Sequence, residues 1–126
     1  MAYRVYLVDD DRFLLDLYAV KFKNAGRDVT TFSSGEGLLD ALRKGSAAPD
    51  AVFIDLIMPG IGGIGVLEAI RKEGLAKGAK IVILSNEGQD ADVEKAKEYK
   101  ADGYIIKTSA TPSEVPGLIG EFATPS

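Results

Sequence analysis

Residues 51–67 read AVFIDLIMPGIGGIGVL and combine an apolar run, an acid and a glycine-rich segment. The first four residues are all apolar, which is typical of a strand buried on both faces of a parallel sheet. The run stops at Asp55, and a helical pattern follows from about residue 64 to residue 72. A buried strand, a loop and a helix in this order indicate a βαβ unit.

The glycine-rich part, GIGGIG, raises a question about the chemistry, because Gly60, Gly62 and Gly65 fit the dinucleotide fingerprint G-x-G-x-x-G. In that fold the first glycine stands at the end of the strand, whereas here residues 55–59 intervene. The acid that binds the ribose in that fold is expected about 20 residues further on, and only the stretch Ser85-Asn86-Glu87 lies near that position. We interpret the match as accidental. The glycines should then loosen the start of the helix by about 0.5–1 kcal/mol each where they lie inside it.

The pattern of strand and helix repeats along the chain. Further strand-like runs occur at residues 4–8, 28–32, 80–84 and 103–106. Helical patterns run from the N-cap candidate Asp11 to Gly26, from the N-cap candidate Ser34 to about 43, over about 90–100 and, more weakly, over 112–122. The order βαβαβαβαβα predicts an α/β protein with a doubly wound, five-stranded parallel sheet in the flavodoxin-like order 2-1-3-4-5. We expect one domain over residues 1–126, with a core of about 3–122 and a tail at 123–126.

The composition restricts the chemistry. The sequence contains no histidine and no cysteine, which removes Ser-His-Asp and Cys-His catalysis and leaves oxygen ligands for any metal. A net charge of −4 argues against direct nucleic-acid binding. No apolar run is long enough to span a bilayer and no signal peptide is visible, so a cytoplasmic protein without a membrane anchor is expected.

Polar side chains follow four of the predicted strands. Asp9 and Asp10 follow the first strand, Asp55 the third, Ser85 the fourth and Lys107 the fifth. Ligands of open α/β sheets bind at this carboxyl edge, near the switch point between strands 1 and 3. Clustered carboxylates favour a shared hard cation such as Mg²⁺, and a lysine with a hydroxyl suits a phosphoryl group. A carboxylate is then the plausible nucleophile.

Four motifs, each at a strand end, together resemble the receiver domain of bacterial response regulators. They are Val8-Asp9-Asp10, Ile54-Asp55-Leu56-Ile57-Met58-Pro59, Ile83-Leu84-Ser85 and Gly103-Tyr104-Ile105-Ile106-Lys107. Each motif alone has an ordinary structural reading, such as a cap, a surface lysine or core packing. Their joint occurrence over about residues 3–122 favours the functional reading.

The resemblance implies a role for each matching acidic residue. Asp55 resembles the phosphoacceptor, Asp10 the direct Mg²⁺ ligand, and Asp9 the acid that acts on the metal largely through water. Ile57 occupies the position that lends a backbone carbonyl to the metal.

The resemblance also implies a conformational switch. Ser85 resembles the hydroxyl residue that turns to bind the phosphoryl oxygen, Lys107 the lysine that pairs with it, and Tyr104 the aromatic switch residue. The family usually has proline after the lysine, with a cis peptide bond. Because a cis bond before Thr108 would cost about 3–4 kcal/mol, we predict a trans Lys107–Thr108 bond.

These roles predict a receiver domain that takes a phosphoryl group from a histidine kinase or histidine phosphotransfer protein and switches a protein-binding face. It would act as a monomer or as a phosphorylation-dependent dimer, on an unknown downstream protein, and not as an enzyme on an external substrate. Three alternatives remain: a degenerate receiver used only for binding, a nucleotide- or flavin-binding module, and an aspartate-nucleophile phosphohydrolase. The dehalogenase-like form of the last needs an acid where this chain has Ile57.

Overall fold

Strands and helices alternate in the computed structural model, which describes residues 3–45, 49–56, 60–85, 94–95 and 97–106. The elements are β1 (Tyr3–Val8), α1 (Arg12–Asn24), β2 (Arg27–Phe32), α2 (Gly35–Lys44), β3 (Ala51–Asp55), α3 (Gly63–Glu73), β4 (Lys80–Ser85) and β5 (Gly103–Ile106). All neighbouring strands are parallel, in the order β2-β1-β3-β4-β5. The predicted fold class and strand order are thereby confirmed.

The strand boundaries differ slightly from the prediction. β2 begins one residue early, at Arg27, and β3 and β4 include Asp55 and Ser85 as their last residues. Of the predicted helix at about 90–100, the described residues 94, 95, 97 and 98 are helical. The predicted helix at 112–122 and the tail at 123–126 lie outside the described residues.

Both predicted helix N-caps are present. The Asp11 carboxylate accepts a hydrogen bond from the amide of Leu14 at 3.1 Å, and the Ser34 hydroxyl accepts one from the amide of Gly37 at 3.1 Å. Each bond satisfies an amide that has no partner within its helix. α1 ends at Asn24, and Gly26, which was predicted to end this helix, follows the C-cap Ala25 with φ of 80° and directly precedes β2.

Two apolar layers cover the two faces of the sheet, because successive strand side chains point to opposite sides. Under α2 and α3 lie Tyr6, Val8, Val52, Ile54, Ile81 and Ile83. Under α1 lie Val5, Leu7, Ala51, Phe53, Val82 and Leu84. Every residue of β3 is buried, which confirms the reading of this run as the central strand. Within the described part of the chain, no helix is long and apolar enough to cross a membrane.

Polar contacts join α3 to its neighbours. Arg43 of α2 donates to both carboxylate oxygens of Glu73, at 2.8 and 2.7 Å, and thereby lowers the pKa of Glu73. Within α3, Lys72 donates to Glu68 at 2.6 Å and lowers the pKa of Glu68, and the Tyr99 hydroxyl is a second donor to it. The Glu68 contact raises the pKa of Tyr99. These contacts connect α3 to α2 on one side and to the turn at residues 99–100 on the other.

Lys100 ends that turn with a left-handed backbone, at φ of 60°, where a side chain is unfavourable. We expect Lys100→Gly to raise the free energy of unfolding by about 0.5–1 kcal/mol, because glycine adopts this conformation without strain. The matched control is Lys97→Gly, a helical position, which should lower it by about 1 kcal/mol. Urea unfolding of both variants measures the difference, and equal losses of stability would contradict the assignment.

Candidate functional site

Three carboxylates meet at the carboxyl edge of the sheet. Asp9 follows β1, Asp10 is next in the chain, and Asp55 is the last residue of β3. One carboxylate oxygen from each lies within 4.8 Å of the others. The register of the strands explains this meeting, because Val8 pairs with Ile54, so that the residues after them reach the same edge. The convergence predicted for these three acids is therefore present.

Asp9 is held by one hydrogen bond to β2 and by one within the turn that follows β1. The Asp9 amide donates to the carbonyl of Phe32 at 3.1 Å, which continues the pairing of β1 with β2 beyond Val8. The Asp9 carboxylate accepts a hydrogen bond from the amide of Asp11 at 2.9 Å. Asp9 is 1% exposed, whereas Asp10 is exposed. The turn thus buries one carboxylate and presents the next to solvent.

The segment that holds Asp55 is closed by two backbone hydrogen bonds. Leu56 donates to the carbonyl of Leu84 at 2.8 Å, which extends the β3–β4 pairing past Asp55. Gly63 donates to the carbonyl of Leu56 at 2.8 Å and so joins the start of α3 to the end of β3. Asp55 is 6% exposed. Its backbone is therefore fixed on both the sheet side and the helix side.

Gly63 has a packing role that the sequence analysis missed. A Cβ atom at Gly63 would lie 2.5 Å from the carbonyl oxygen of Asp55 and 2.7 Å from the Cα of Leu56. The expectation that the glycines only loosen the helix start is therefore incomplete, because this glycine lets α3 approach the backbone of Asp55. The signal was present in the cluster of glycines, but only the tertiary contact shows which one requires it.

The remaining predicted site residues are described in part or not at all. The backbone of Ser85 ends β4 and pairs with Ile106, and the backbone of Tyr104 pairs with Ile83. The side-chain roles predicted for Ser85 and Tyr104 lie outside the described part of the structure. So do Ile57, Lys107 and the Lys107–Thr108 bond, for which the predictions stay predictions.

The carboxylate cluster fits a hard divalent cation. Its donors are all oxygen, and two of the three acids are buried, where like charges interact most strongly. Mg²⁺ binds through one or two carboxylates and retains several waters, so it does not require a complete protein cage. Asp10, which faces solvent, leaves room for such waters.

The family profile of the response regulator receiver domain matches residues 5–115. The chain therefore belongs to the response regulator receiver domain family. This confirms the resemblance drawn from the four motifs. It is also consistent with the interpretation that the match of GIGGIG to the dinucleotide fingerprint is accidental.

Two relatives and two solved structures show the range of the similarity. The chain is 34% identical over 107 residues to the DNA-binding response regulator MtrA of Mycobacterium tuberculosis, covering 85% of this chain and 45% of that protein. It is 32% identical over 104 residues to the probable transcriptional regulator ycf27 of Guillardia theta, covering 82% of this chain and 39% of that protein. The chain thus spans less than half the length of these relatives.

Among solved structures, the BeF3-activated receiver domain of DrrB from Thermotoga maritima superposes with a TM-score of 0.79 at 26% identity, over 97% of each chain. The chemotaxis protein CheY4 of Vibrio cholerae gives a TM-score of 0.87 at 23% identity, over 97% of this chain and 99% of that one. The second similarity supports the fold alone.

Proposed function

We propose that this receiver domain accepts a phosphoryl group on Asp55 from a histidine kinase or a histidine phosphotransfer protein. The observation that carries the proposal is the meeting of Asp9, Asp10 and Asp55, with one oxygen of each within 4.8 Å of the others. Family membership supports it, and so does the BeF3-activated form in which the DrrB receiver domain was solved.

In the proposed reaction, a carboxylate oxygen of Asp55 attacks the phosphorus of a phosphohistidine. The new O–P bond forms as the P–N bond breaks, and the electron pair returns to the imidazole nitrogen of the donor. The product is an acyl phosphate on Asp55. Because hydrogen bonds of Leu56 to β4 and to the start of α3 fix the backbone next to Asp55, its carboxylate is presented without a large reorganisation of the backbone.

Asp9, Asp10 and Asp55 would hold Mg²⁺, with the carbonyl of Ile57 as a further ligand and Ser85 and Lys107 contacting the phosphoryl oxygens. When bound, Mg²⁺ would supply positive charge to those oxygens. Phosphorylation would then shift Ser85 and Tyr104 between two states and change a protein-binding surface.

The wider setting of the domain is part of the same proposal. We propose a cytoplasmic domain over residues 1–126 that acts on a downstream protein and catalyses only its own phosphorylation and dephosphorylation. MtrA is named as DNA-binding, but this chain matches only 45% of its length. Direct nucleic-acid binding is not proposed for this segment, since its net charge is −4.

Incubation with Mg²⁺ and acetyl phosphate tests the proposal, with intact mass as the measurement. The wild type should gain one phosphoryl group, Asp55→Asn should gain none, and omission of Mg²⁺ should suppress the gain. The control is Asp16→Asn, an exposed acid of α1, which should behave as the wild type. An unmodified wild type, or a modified Asp55→Asn, would refute the assignment of Asp55.

A further inference from the structure

The strand β5 is short and lies at the edge of the described sheet. It contains four residues, and it pairs within the described sheet with β4 alone. The pairs run from Val82 with Gly103 to Ser85 with Ile106. A slip of one residue would move every side chain of β5 to the opposite face. A specific contact at one end of such a short edge strand therefore helps to fix its register.

Asp102 provides that contact at the start of β5. Its amide donates a hydrogen bond to the carbonyl of Ile81 at 2.7 Å, and its carboxylate accepts one from the amide of Ile81 at 2.7 Å. The two residues thus exchange hydrogen bonds in both directions, one of them through a side chain. Because only one register places the Asp102 carboxylate on the Ile81 amide, the contact selects that register.

Arg71 of α3 holds the turn that precedes Asp102. Its Nε donates to the carbonyl of Tyr99 at 2.8 Å and its Nη2 to the carbonyl of Lys100 at 2.7 Å. The same Nη2 lies 3.8 Å from the Asp102 carboxylate. The side chains of Arg71 and Asp102 are 33% and 31% exposed, so their interaction is only partly screened by solvent. One guanidinium thus joins α3 to the turn and to the residue that sets β5.

We propose that Asp102 and Arg71 are positioning residues for phosphoryl transfer, because they fix the register of β5 against β4. At the other end of this strand pair, Ser85 pairs with Ile106, and Lys107 is the next residue in the sequence. This inference rests on the proposed function, since Ser85 and Lys107 matter to the reaction only in a phosphoacceptor. The carboxylate cluster belongs to β1 and β3, whose pairing involves neither Asp102 nor Arg71.

Substitution of Asp102 or Arg71 should therefore lower the rate of phosphorylation without lowering the affinity for Mg²⁺. In Asp102→Ala and Arg71→Lys, the rate of phosphorylation by acetyl phosphate should fall about 10- to 100-fold, as for a displaced reacting group. The affinity for Mg²⁺ alone, measured by titration calorimetry, should stay within about twofold, because the carboxylates are held elsewhere. Hydrogen exchange of the β5 amides should be faster in both variants.

Two variants serve as controls. Asp102→Asn keeps an oxygen for the Ile81 amide and should retain most of the rate. Arg43→Lys makes the same substitution in an arginine that binds Glu73 through two hydrogen bonds, and it should leave the rate and β5 exchange unchanged.

The inference is overturned if Arg71→Lys is no slower than Arg43→Lys, or if Mg²⁺ affinity falls in parallel with the rate. Should Asp102→Ala not fold, the comparison of the two arginine variants still decides. A wild type that takes up no phosphoryl group would refute the proposed function and this inference with it. A phosphorylated wild type with unaffected variants would refute the inference alone.

Discussion

Gly63→Ala is expected to lower the free energy of unfolding by about 2–4 kcal/mol, a large effect for the addition of one methyl group. The new Cβ would lie 2.5 Å from the Asp55 carbonyl oxygen and 2.7 Å from the Leu56 Cα. Both neighbours are backbone atoms of a buried strand end, so they cannot turn away as a side chain could. The higher helix propensity of alanine, about 1 kcal/mol, offsets only part of this cost.

Thermal and urea unfolding measure the effect, and the midpoint should fall by about 6–15 °C. The control is Gly62→Ser, the preceding residue, where the nearest atom to an added Cβ is the Leu56 carbonyl oxygen at 3.6 Å. Gly62 is the N-cap of α3 and makes no side-chain capping bond, so serine should preserve or slightly raise the stability. Similar losses in the two variants would show that α3 does not approach Asp55 as described.

The strands and the acidic cluster could be predicted because they follow from local pattern and topology. Runs such as residues 51–54 and 81–84 are apolar throughout, which is what burial on both faces of a parallel sheet demands. Once the strands are parallel, the residues that follow them must share an edge, and Asp9 and Asp55 meet for that reason.

The contacts between elements could not be predicted, because they depend on distances that no local pattern encodes. Gly63 resembles its neighbours Gly62 and Gly65 in sequence, and only the approach of α3 to β3 distinguishes it. In the sequence, nothing distinguishes Arg71 from an ordinary surface arginine, yet its side chain donates hydrogen bonds to carbonyls 28 and 29 residues away along the chain. The one-residue shifts at Arg27 and Ser85 arise because pairing with a neighbour extends a strand past its apolar run.

Mg²⁺ is expected to stabilise the wild type by about 2.7 kcal/mol when its free concentration is 100 times the dissociation constant, since it binds the folded state alone. The physical reason is the carboxylate cluster, in which Asp9 and Asp55 are buried close to Asp10. Without a cation, like charges at this spacing repel. Thermal unfolding in EDTA and across a Mg²⁺ titration measures the effect, which should appear as a rise of several degrees in the midpoint.

Asp10→Asn and Asp11→Asn separate this mechanism from a general effect of salt. Both remove one negative charge from neighbouring, exposed positions, but only Asp10 belongs to the cluster. Asparagine caps a helix as well as aspartate does, so Asp11→Asn should keep both its stability and its Mg²⁺ response. Asp10→Asn should lose most of the Mg²⁺ response and, because one repulsive charge is gone, be no less stable than the wild type in EDTA. If instead the two variants respond to Mg²⁺ alike, the cation acts by screening the acidic chain as a whole, and the cluster is not its binding site.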